Sequence, residues 1–259
     1  MSAELEVTIL GSGTSTGVPV IGCHCPVCSS SLPQNQRTRC SALLSWQGRQ
    51  ILIDTATDLR QQALREQLTR VDAVLYTHTH ADHLHGIDDL RTFNPSDGGS
   101  IPVYGSAATL AAIGRNFHYI FSDGPDAGYR PRLEPRLIAG AFELFGLPIE
   151  PIPLLHGSGE TLGFRIGSFA YLTDVSAIPA PSETRLQGLE LLVLDGLRFS
   201  PHSTHFNVAQ ALAVAKGLRV PRTVLTHLSH EIDHLRHGAE LPAGIEFAYD
   251  GQRLRVALG

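Results

Sequence analysis

Residues 71–83, VDAVLYTHTHADH, decide the fold. The first seven residues are mostly apolar and predict a buried strand, and four side chains that can bind metal follow within six positions. Side chains two residues apart at a strand end project to the same side, so His78 and His80 can hold one ion. Asp82 and His83 turn into a helix and point to a neighbouring position. Imidazole and carboxylate ligands suit zinc, manganese or iron, so the motif predicts a catalytic metal site.

Two metal ions need more ligands than this motif holds, and three later segments offer them. His156 follows the apolar stretch IEPIPLL, Asp174 follows FAYLT, and His227 follows RTVLT. Each stands at the carboxyl end of a predicted strand, where a shared cleft would form. Alone, each would more often be an ordinary polar residue, but together with the first motif they predict one metal site.

The rest of the chain mixes strands and helices. Strands are predicted at 5–10, 41–46, 49–54, 71–77, 101–105, 143–152, 162–173, 190–195, 222–226 and 245–256, and helices at 58–70, 84–93, 106–118 and 206–218. The order of elements repeats from about residue 140. This predicts an α/β sandwich of two mixed β-sheets packed face to face with helices outside, in one domain spanning residues 1–259. Residues 94–100 and 122–136, rich in Gly, Pro and Asp, are predicted as loops near the site.

Composition narrows the choice of partner. Charged residues make up 17% of the 259 residues and the net charge is -5, so no broad positive field would hold an extended nucleic acid. A local patch at Arg130, Arg132 and Arg136 keeps nucleic acid open, with a solvated loop as the ordinary interpretation. The first residues lack the features of a secretory signal, and no run approaches the roughly 18 apolar residues that cross a bilayer. We expect a cytoplasmic protein without a membrane partner, and a homodimer stays open.

Three cysteines lie close together near the N-terminus. Cys23, Cys25 and Cys28 form Cys-x-Cys-x2-Cys, a spacing that lets three thiolates converge on one tetrahedral ion. In a cytoplasmic protein this spacing favours metal over a disulfide. A fourth ligand must come from elsewhere, and Cys40 is one candidate. A site with four protein ligands would be a structural zinc site.

The His-x-His-x-Asp-His motif, with the later histidine, aspartate and histidine in order, resembles the metallo-β-lactamase superfamily over nearly the whole chain. Three further segments narrow the resemblance: GSGTSTGVP at 11–19, GCHCPVC at 22–28 and LTHLSH at 225–230. They resemble the PhnP-type phosphodiesterases that cleave phosphoribosyl cyclic phosphate, relatives of the tRNA 3′-processing endonucleases. The first segment is then a loop that lines the metal cleft and brings Thr14 and Ser15 near substrate, whereas a tight turn is its other interpretation.

The resemblance implies two catalytic divalent ions (manganese or zinc, with iron as a further choice) and one structural zinc. It assigns His78, His80 and His156 to the first ion, Asp82, His83 and His227 to the second, and Asp174 to both. It implies that Asp82 and His205 are catalytic, with His202 as the rival of His205, and that His230 rather than Cys40 completes the zinc site.

The activity implied is hydrolysis of a small cyclic phosphodiester, similar to phosphoribosyl 1,2-cyclic phosphate, by attack of a metal-bridging hydroxide. Three alternatives stay open: an RNA- or DNA-processing phosphodiesterase of the tRNA 3′-endonuclease kind, a thioester or lactone hydrolase on the same fold, and a metal-bound scaffold without turnover.

Overall fold

Apolar side chains on alternate positions build two β-sheets, which a computed structural model describes over residues 4–122 and 130–258. Each sheet has seven strands within these ranges. The strands are β1 (Glu4–Gly11), β2 (Ser41–Trp46), β3 (Arg49–Ile53), β4 (Ala73–Leu75), β5 (Ile101–Gly105), β6 (Leu133–Leu137), β7 (Phe142–Leu144), β8 (Leu147–His156), β9 (Gly159–Ile166), β10 (Phe169–Leu172), β11 (Leu191–Asp195), β12 (Arg222–Thr226), β13 (Ile245–Phe247) and β14 (Arg253–Ala257).

The two sheets have the same arrangement of antiparallel and parallel strands. The first has the order β14-β1-β2-β3-β4-β5-β6 and the second β13-β12-β11-β10-β9-β8-β7. In the first sheet β14, β1, β2 and β3 pair antiparallel and β3 to β6 pair parallel. In the second sheet β7 to β10 pair antiparallel and β10 to β13 pair parallel. The predicted sandwich of two mixed sheets is therefore confirmed.

Helices are few and mostly short. They are α1 (Leu59–Arg65), α2 (Ala81–Leu84), α3 (Ala107–Asn116), α4 (His118–Phe121), α5 (Ala180–Thr184), α6 (Val208–Leu218) and α7 (His234–Gly238), with 3-10 turns at Pro33–Asn35 and Ile87–Phe93. The longest, α6, begins at a capping box in which the Asn207 side chain accepts from the Gln210 backbone and the Gln210 side chain accepts from the Asn207 backbone. Across the described ranges, no helix has the length and apolarity to cross a membrane.

The core has three layers of apolar side chains. The central layer lies between the sheets, where Leu44 of the first sheet and Phe164 and Val193 of the second belong to one buried cluster. A second cluster packs α6 on the outer face of the second sheet, and a third packs Leu59 of α1 and further residues on the outer face of the first. The inner parallel strands β4 and β11 are therefore covered on both faces, which is why they are apolar apart from Asp195 at the end of β11.

Several predicted element boundaries were wrong. The helix predicted at 84–93 is α2 followed by a 3-10 turn, and the chain between them packs so closely at Gly86 that an added Cβ would lie 2.1 Å from the Ala56 carbonyl oxygen. Of the loop predicted at 122–136, residues 123–129 lie outside the described residues, and the last four belong to β6, an exposed edge strand that tolerates Pro135 in its middle. The strand predicted at 245–256 is two strands in different sheets, β13 and β14.

Candidate metal centre

The candidate site lies at the carboxyl ends of four strands. His78 follows β4, His156 is the last residue of β8, and Asp174 and His227 follow β10 and β12. Asp174 and His227 have left-handed backbone conformations, with φ of 53° and 59°. Residues other than glycine adopt this conformation at a cost that surrounding structure must offset, and such residues cluster at functional sites. The sharp turns aim both side chains into the space between the two sheets' strand ends.

The first donor group contains four of the predicted residues. One ligand atom from each of His78, His80, His156 and Asp174 lies within 4.8 Å of the others. The Oδ2 atom of Asp174 is 3.6 Å from His78 Nε2 and 3.7 Å from His156 Nε2. His80 is exposed at the cleft and His156 is half-buried, so this group faces solvent.

The second donor group lies on the other side of Asp174. Ligand atoms of Asp82, His83 and His227 lie within 4.8 Å of one another, and all three residues are buried. The Oδ1 atom of Asp174 is 3.0 Å from His83 Nε2 and 3.4 Å from His227 Nε2. Each carboxylate oxygen of Asp174 thus faces a different group of histidines, as a residue shared between two ions would require.

The buried groups of the site shift one another's pKa values. Burial alone would raise the pKa of Asp174, but His227 and His83 hold it well below its ordinary value. Burial likewise opposes the charge on His83, yet Asp174 and Asp54 raise its pKa well above the usual value. The Nε2 atom of His78 is buried without a hydrogen-bond partner in the described part of the chain and lies 3.6 Å from Asp174 Oδ2. A buried nitrogen without a partner is costly unless a ligand satisfies it, and its position beside a carboxylate suits a bound metal ion.

Two buried aspartates at this site were missed from the sequence. Asp54, directly after β3, accepts from the backbone of Thr77 at 2.8 Å and lies 2.7 Å from His83 Nδ1. Asp195, the last residue of β11, lies 2.7 Å from His205 Nδ1. Each carboxylate fixes one imidazole so that its Nε2 atom faces the donor groups. The signal that could have found them is the one used for Asp174, a carboxylate at the end of an apolar strand.

His205 and His202 occupy different surroundings. The ring of His205 is buried, stacks on His227 with centroids 4.7 Å apart, and places Nε2 3.9 Å from Asp174 Oδ2. His202 is exposed and lies within hydrogen-bonding distance of Thr204, and it does not line the cleft. Ligand atoms of His205, Asp174 and His227 also lie within 4.8 Å of one another. Of the two histidines, His205 is the one beside the donor groups.

The cysteine loop forms a separate cluster. The Sγ atoms of Cys23, Cys25 and Cys28 lie 3.3, 3.6 and 3.5 Å from His230 Nδ1. A hydrogen bond from the Cys28 backbone lowers the pKa of the Cys25 thiol to about 6, whereas burial raises the pKa of Cys28 to about 11. Cys40 is fully buried elsewhere, with its Sγ atom 3.1 Å from the Tyr171 hydroxyl. Three thiols and one imidazole make a donor set that suits zinc, and Cys40 is not among them.

The cysteine cluster and the catalytic donors share one loop. The backbone of Leu228 donates to the Ser12 carbonyl at 2.8 Å and accepts from Thr14 at 3.1 Å. The buried Arg37 side chain donates to the carbonyls of Ser229 and Ile232. The segment that carries both His227 and His230 is therefore held from two sides.

A cleft of about 570 Å³ opens above the donor groups. Ser15 lines it, as predicted for the first loop, and Thr14 does not.

The three arginines of the predicted basic patch do not line this cleft, and each contacts other groups of the protein. Arg130 donates to the Tyr119 carbonyl, Arg132 donates to the carbonyls of Gly99 and Pro95, and Arg136 pairs with Glu134.

A known family of proteins matches most of the chain. Residues 49–228 match the beta-lactamase superfamily domain. The chain is 40% identical over 252 residues to an octanoyltransferase of Porphyromonas gingivalis, a match that covers 95% of this chain and 51% of that protein. The chain thus spans about half the length of that relative.

Solved structures narrow the class. A diphosphatase from the PhnP family is 42% identical, with a TM-score of 0.94 and coverage of 100% of this chain and 99% of the other. The short form of human tRNase Z shares the fold at 18% identity, with a TM-score of 0.70 and coverage of 98% and 99%. The chain belongs to the PhnP family of the metallo-β-lactamase superfamily.

Proposed function

We propose that the protein is a metal-dependent phosphodiesterase that hydrolyses a small cyclic phosphodiester of a sugar, of the phosphoribosyl 1,2-cyclic phosphate kind. One observation carries the proposal: His205, held at Nδ1 by Asp195 at 2.7 Å, turns Nε2 toward the donor groups, 3.9 Å from Asp174 Oδ2. Opening a phosphodiester releases an alkoxide, which needs a proton, and an imidazole fixed at the wall of a cleft can supply it.

The residues that would hold two divalent ions, manganese, zinc or iron, are His78, His80, His156, Asp82, His83, His227 and the shared Asp174. When bound, such ions polarise phosphoryl oxygens and lower the pKa of water. Cys23, Cys25, Cys28 and His230 would hold the structural zinc ion.

Residues of the protein orient the histidines and supply the proton. Asp54 fixes the orientation of His83, and Asp195 fixes that of His205. Because the Asp195 carboxylate is an acceptor, Nδ1 of His205 carries a proton, and the protonated ring donates its second proton from Nε2 to the leaving oxygen. Asp195 is thus a positioning residue and His205 the proton donor.

The charge of the cleft supports a small substrate. Among the described residues that line it there is no lysine or arginine. Proteins that bind an extended nucleic-acid backbone use such cations along the path of the strand. This favours a small phosphodiester over RNA processing.

A second candidate is hydrolysis of a diphosphate, favoured by the 42% identity to the PhnP-family diphosphatase. The leaving group would then be a phosphate, which is a much weaker base than an alkoxide and depends less on a proton donor. The role of His205 therefore separates the two candidates.

The test compares three substrates with protein supplied with manganese or zinc: ribose 1,2-cyclic phosphate, bis-p-nitrophenyl phosphate and a diphosphate diester such as ADP-ribose. The proposal expects metal-dependent turnover of the first two at a higher kcat/KM than the third. Turnover of the diphosphate alone would move the assignment to the second candidate. Inactivity on all three with metal bound would favour a carboxylic ester or thioester hydrolase.

A further inference from the structure

The Asp54 carboxylate, which holds His83 of the second donor group, also contacts the segment that carries the first. Its Oδ2 atom accepts from the Thr77 hydroxyl at 2.7 Å, and its Oδ1 atom accepts from the Thr77 backbone at 2.8 Å. The Thr77 hydroxyl oxygen in turn lies 2.9 Å from Nδ1 of the next residue, His78. Asp54, Thr77 and His83 are each at most 1% exposed, so these contacts lie away from solvent.

The hydrogen-bonding capacity of each group places the protons in this chain of contacts. A hydroxyl has one proton and an ionised carboxylate can only accept, so the Thr77 proton lies in the bond to Asp54. The Thr77 oxygen then accepts from His78, which places the proton of the neutral His78 ring on Nδ1. Its Nε2 atom is left free to bind an ion, and this atom lies 3.6 Å from Asp174 Oδ2.

The Thr77 side chain is held at the junction of three strands. The Thr77 carbonyl accepts from the Leu162 backbone of β9 at 3.0 Å, while its N–H donates to Asp54. Asp54 has a left-handed backbone with φ of 63°, and its N–H donates to the Leu75 carbonyl of β4 at 2.9 Å. A residue other than glycine keeps this conformation only where the surrounding structure fixes it. The contacts between Asp54, Thr77 and His78 therefore belong to the rigid ends of paired strands.

We propose that Thr77 is a positioning residue for the first catalytic ion, and that Asp54 acts on both ions, directly through His83 and through the Thr77 hydroxyl to His78. Without the hydroxyl, nothing holds the His78 proton on Nδ1, and a proton on Nε2 blocks the atom that would bind the ion. Loss of the hydroxyl should therefore affect one ion, whereas loss of the carboxylate should affect both. This inference rests on the two-ion site of the proposed function and not on the identity of the substrate.

The experiment is a manganese titration of protein that retains its cysteine-bound zinc, with the free ion measured by electron paramagnetic resonance. His80→Ala removes a donor of the first ion only and so identifies which of the two dissociation constants belongs to that ion. Thr77→Val should raise that constant about 10- to 100-fold and leave the other nearly unchanged, whereas Asp54→Asn should raise both. Thr77→Ser keeps the hydroxyl and should retain nearly the wild-type constants.

A matched control is available at a second buried threonine. Thr223, the second residue of β12, is fully buried, and its hydroxyl has no hydrogen-bond partner among the described residues. Thr223→Val should leave both dissociation constants unchanged. If Thr77→Val does not fold, as judged by circular dichroism, Thr77→Ala removes the same hydroxyl and has the same expected result.

Three results would overturn the inference: unchanged constants in Thr77→Val, an equal rise of both constants in that variant, or a Thr77→Ser variant that binds as weakly as Thr77→Val. Binding of a single manganese ion by the wild type contradicts the two-ion site itself, and the inference fails with it. The expected pattern in a protein that binds two ions but hydrolyses no phosphodiester upholds the inference, while the proposed function fails.

Discussion

Replacing Asp195 by asparagine tests the proton-donating role of His205 without changing a metal donor. The carboxylate is fully buried, lies 2.7 Å from His205 Nδ1 and accepts from the Val175 backbone at 3.0 Å. The asparagine carbonyl can keep both bonds, but without the charge that stabilises the imidazolium. A hydrogen bond to a charged group contributes about 1.5–3 kcal/mol and a neutral one about 1 kcal/mol. The protonated ring should lose roughly 0.5–2 kcal/mol, which corresponds to about a 2- to 30-fold fall in rate.

The fall should depend on the leaving group. We expect it for ribose 1,2-cyclic phosphate, whose leaving oxygen is an alkoxide, and less than about a twofold fall for bis-p-nitrophenyl phosphate, because p-nitrophenolate leaves without a proton. His205→Gln should cost about 10²- to 10³-fold on the first substrate and much less on the second. Initial-rate assays at saturating metal give the ratio of wild-type to variant turnover for each of the two substrates. Circular dichroism is the folding control. Equal losses on the two substrates would refute the role of His205 as proton donor.

Three further perturbations follow from the buried carboxylates and the cysteines. Asp54→Asn should weaken the hold on His83, lower metal affinity about 10- to 100-fold in a metal-titration assay and leave the melting temperature nearly unchanged; unchanged affinity would contradict the positioning role. Cys25→Ser should remove one zinc ion per chain and lower the melting temperature before turnover falls, as measured by elemental analysis and calorimetry, whereas Cys40→Ala should retain that zinc. Burial opposes the charge of Asp72, but Arg70, the Gln50 backbone and Arg49 hold its pKa below the ordinary value of an aspartate. The stability that this carboxylate contributes is therefore present above that ordinary value and is lost as the pH falls through the lowered pKa. In urea unfolding Asp72→Asn should therefore lose stability at pH 7 and converge on the wild type in acid, and an equal deficit at both pH values would exclude this linkage.

The metal donors could be predicted because their signal is local. His78, His80, Asp82 and His83 fall within six residues, and His156, Asp174 and His227 each follow an apolar strand. The same rule covers Asp54 and Asp195, which lie at the ends of β3 and β11. They were missed because a single aspartate after a strand is common, and only the contact with His83 or His205 distinguishes it.

Other features depend on contacts that no local pattern contains. His230 is 207 residues from Cys23, so the spacing of the cysteines offered only Cys40 and the family resemblance was needed to point to His230, which the fold places beside the three thiols. The one-turn helices α5 and α7 are too short to show an apolar period, and β6 is an exposed edge strand without alternation.

The most direct measurement is the metal content and turnover of Asp174→Ala beside the wild type, with Glu240→Ala as a control at an exposed position. Because the two oxygens of Asp174 face different histidine groups, the account predicts the loss of one or both catalytic ions, retention of the cysteine-bound zinc, an intact fold and a fall in turnover of about 10³-fold or more. Full metal content with undiminished hydrolysis of ribose 1,2-cyclic phosphate would contradict the two-metal site.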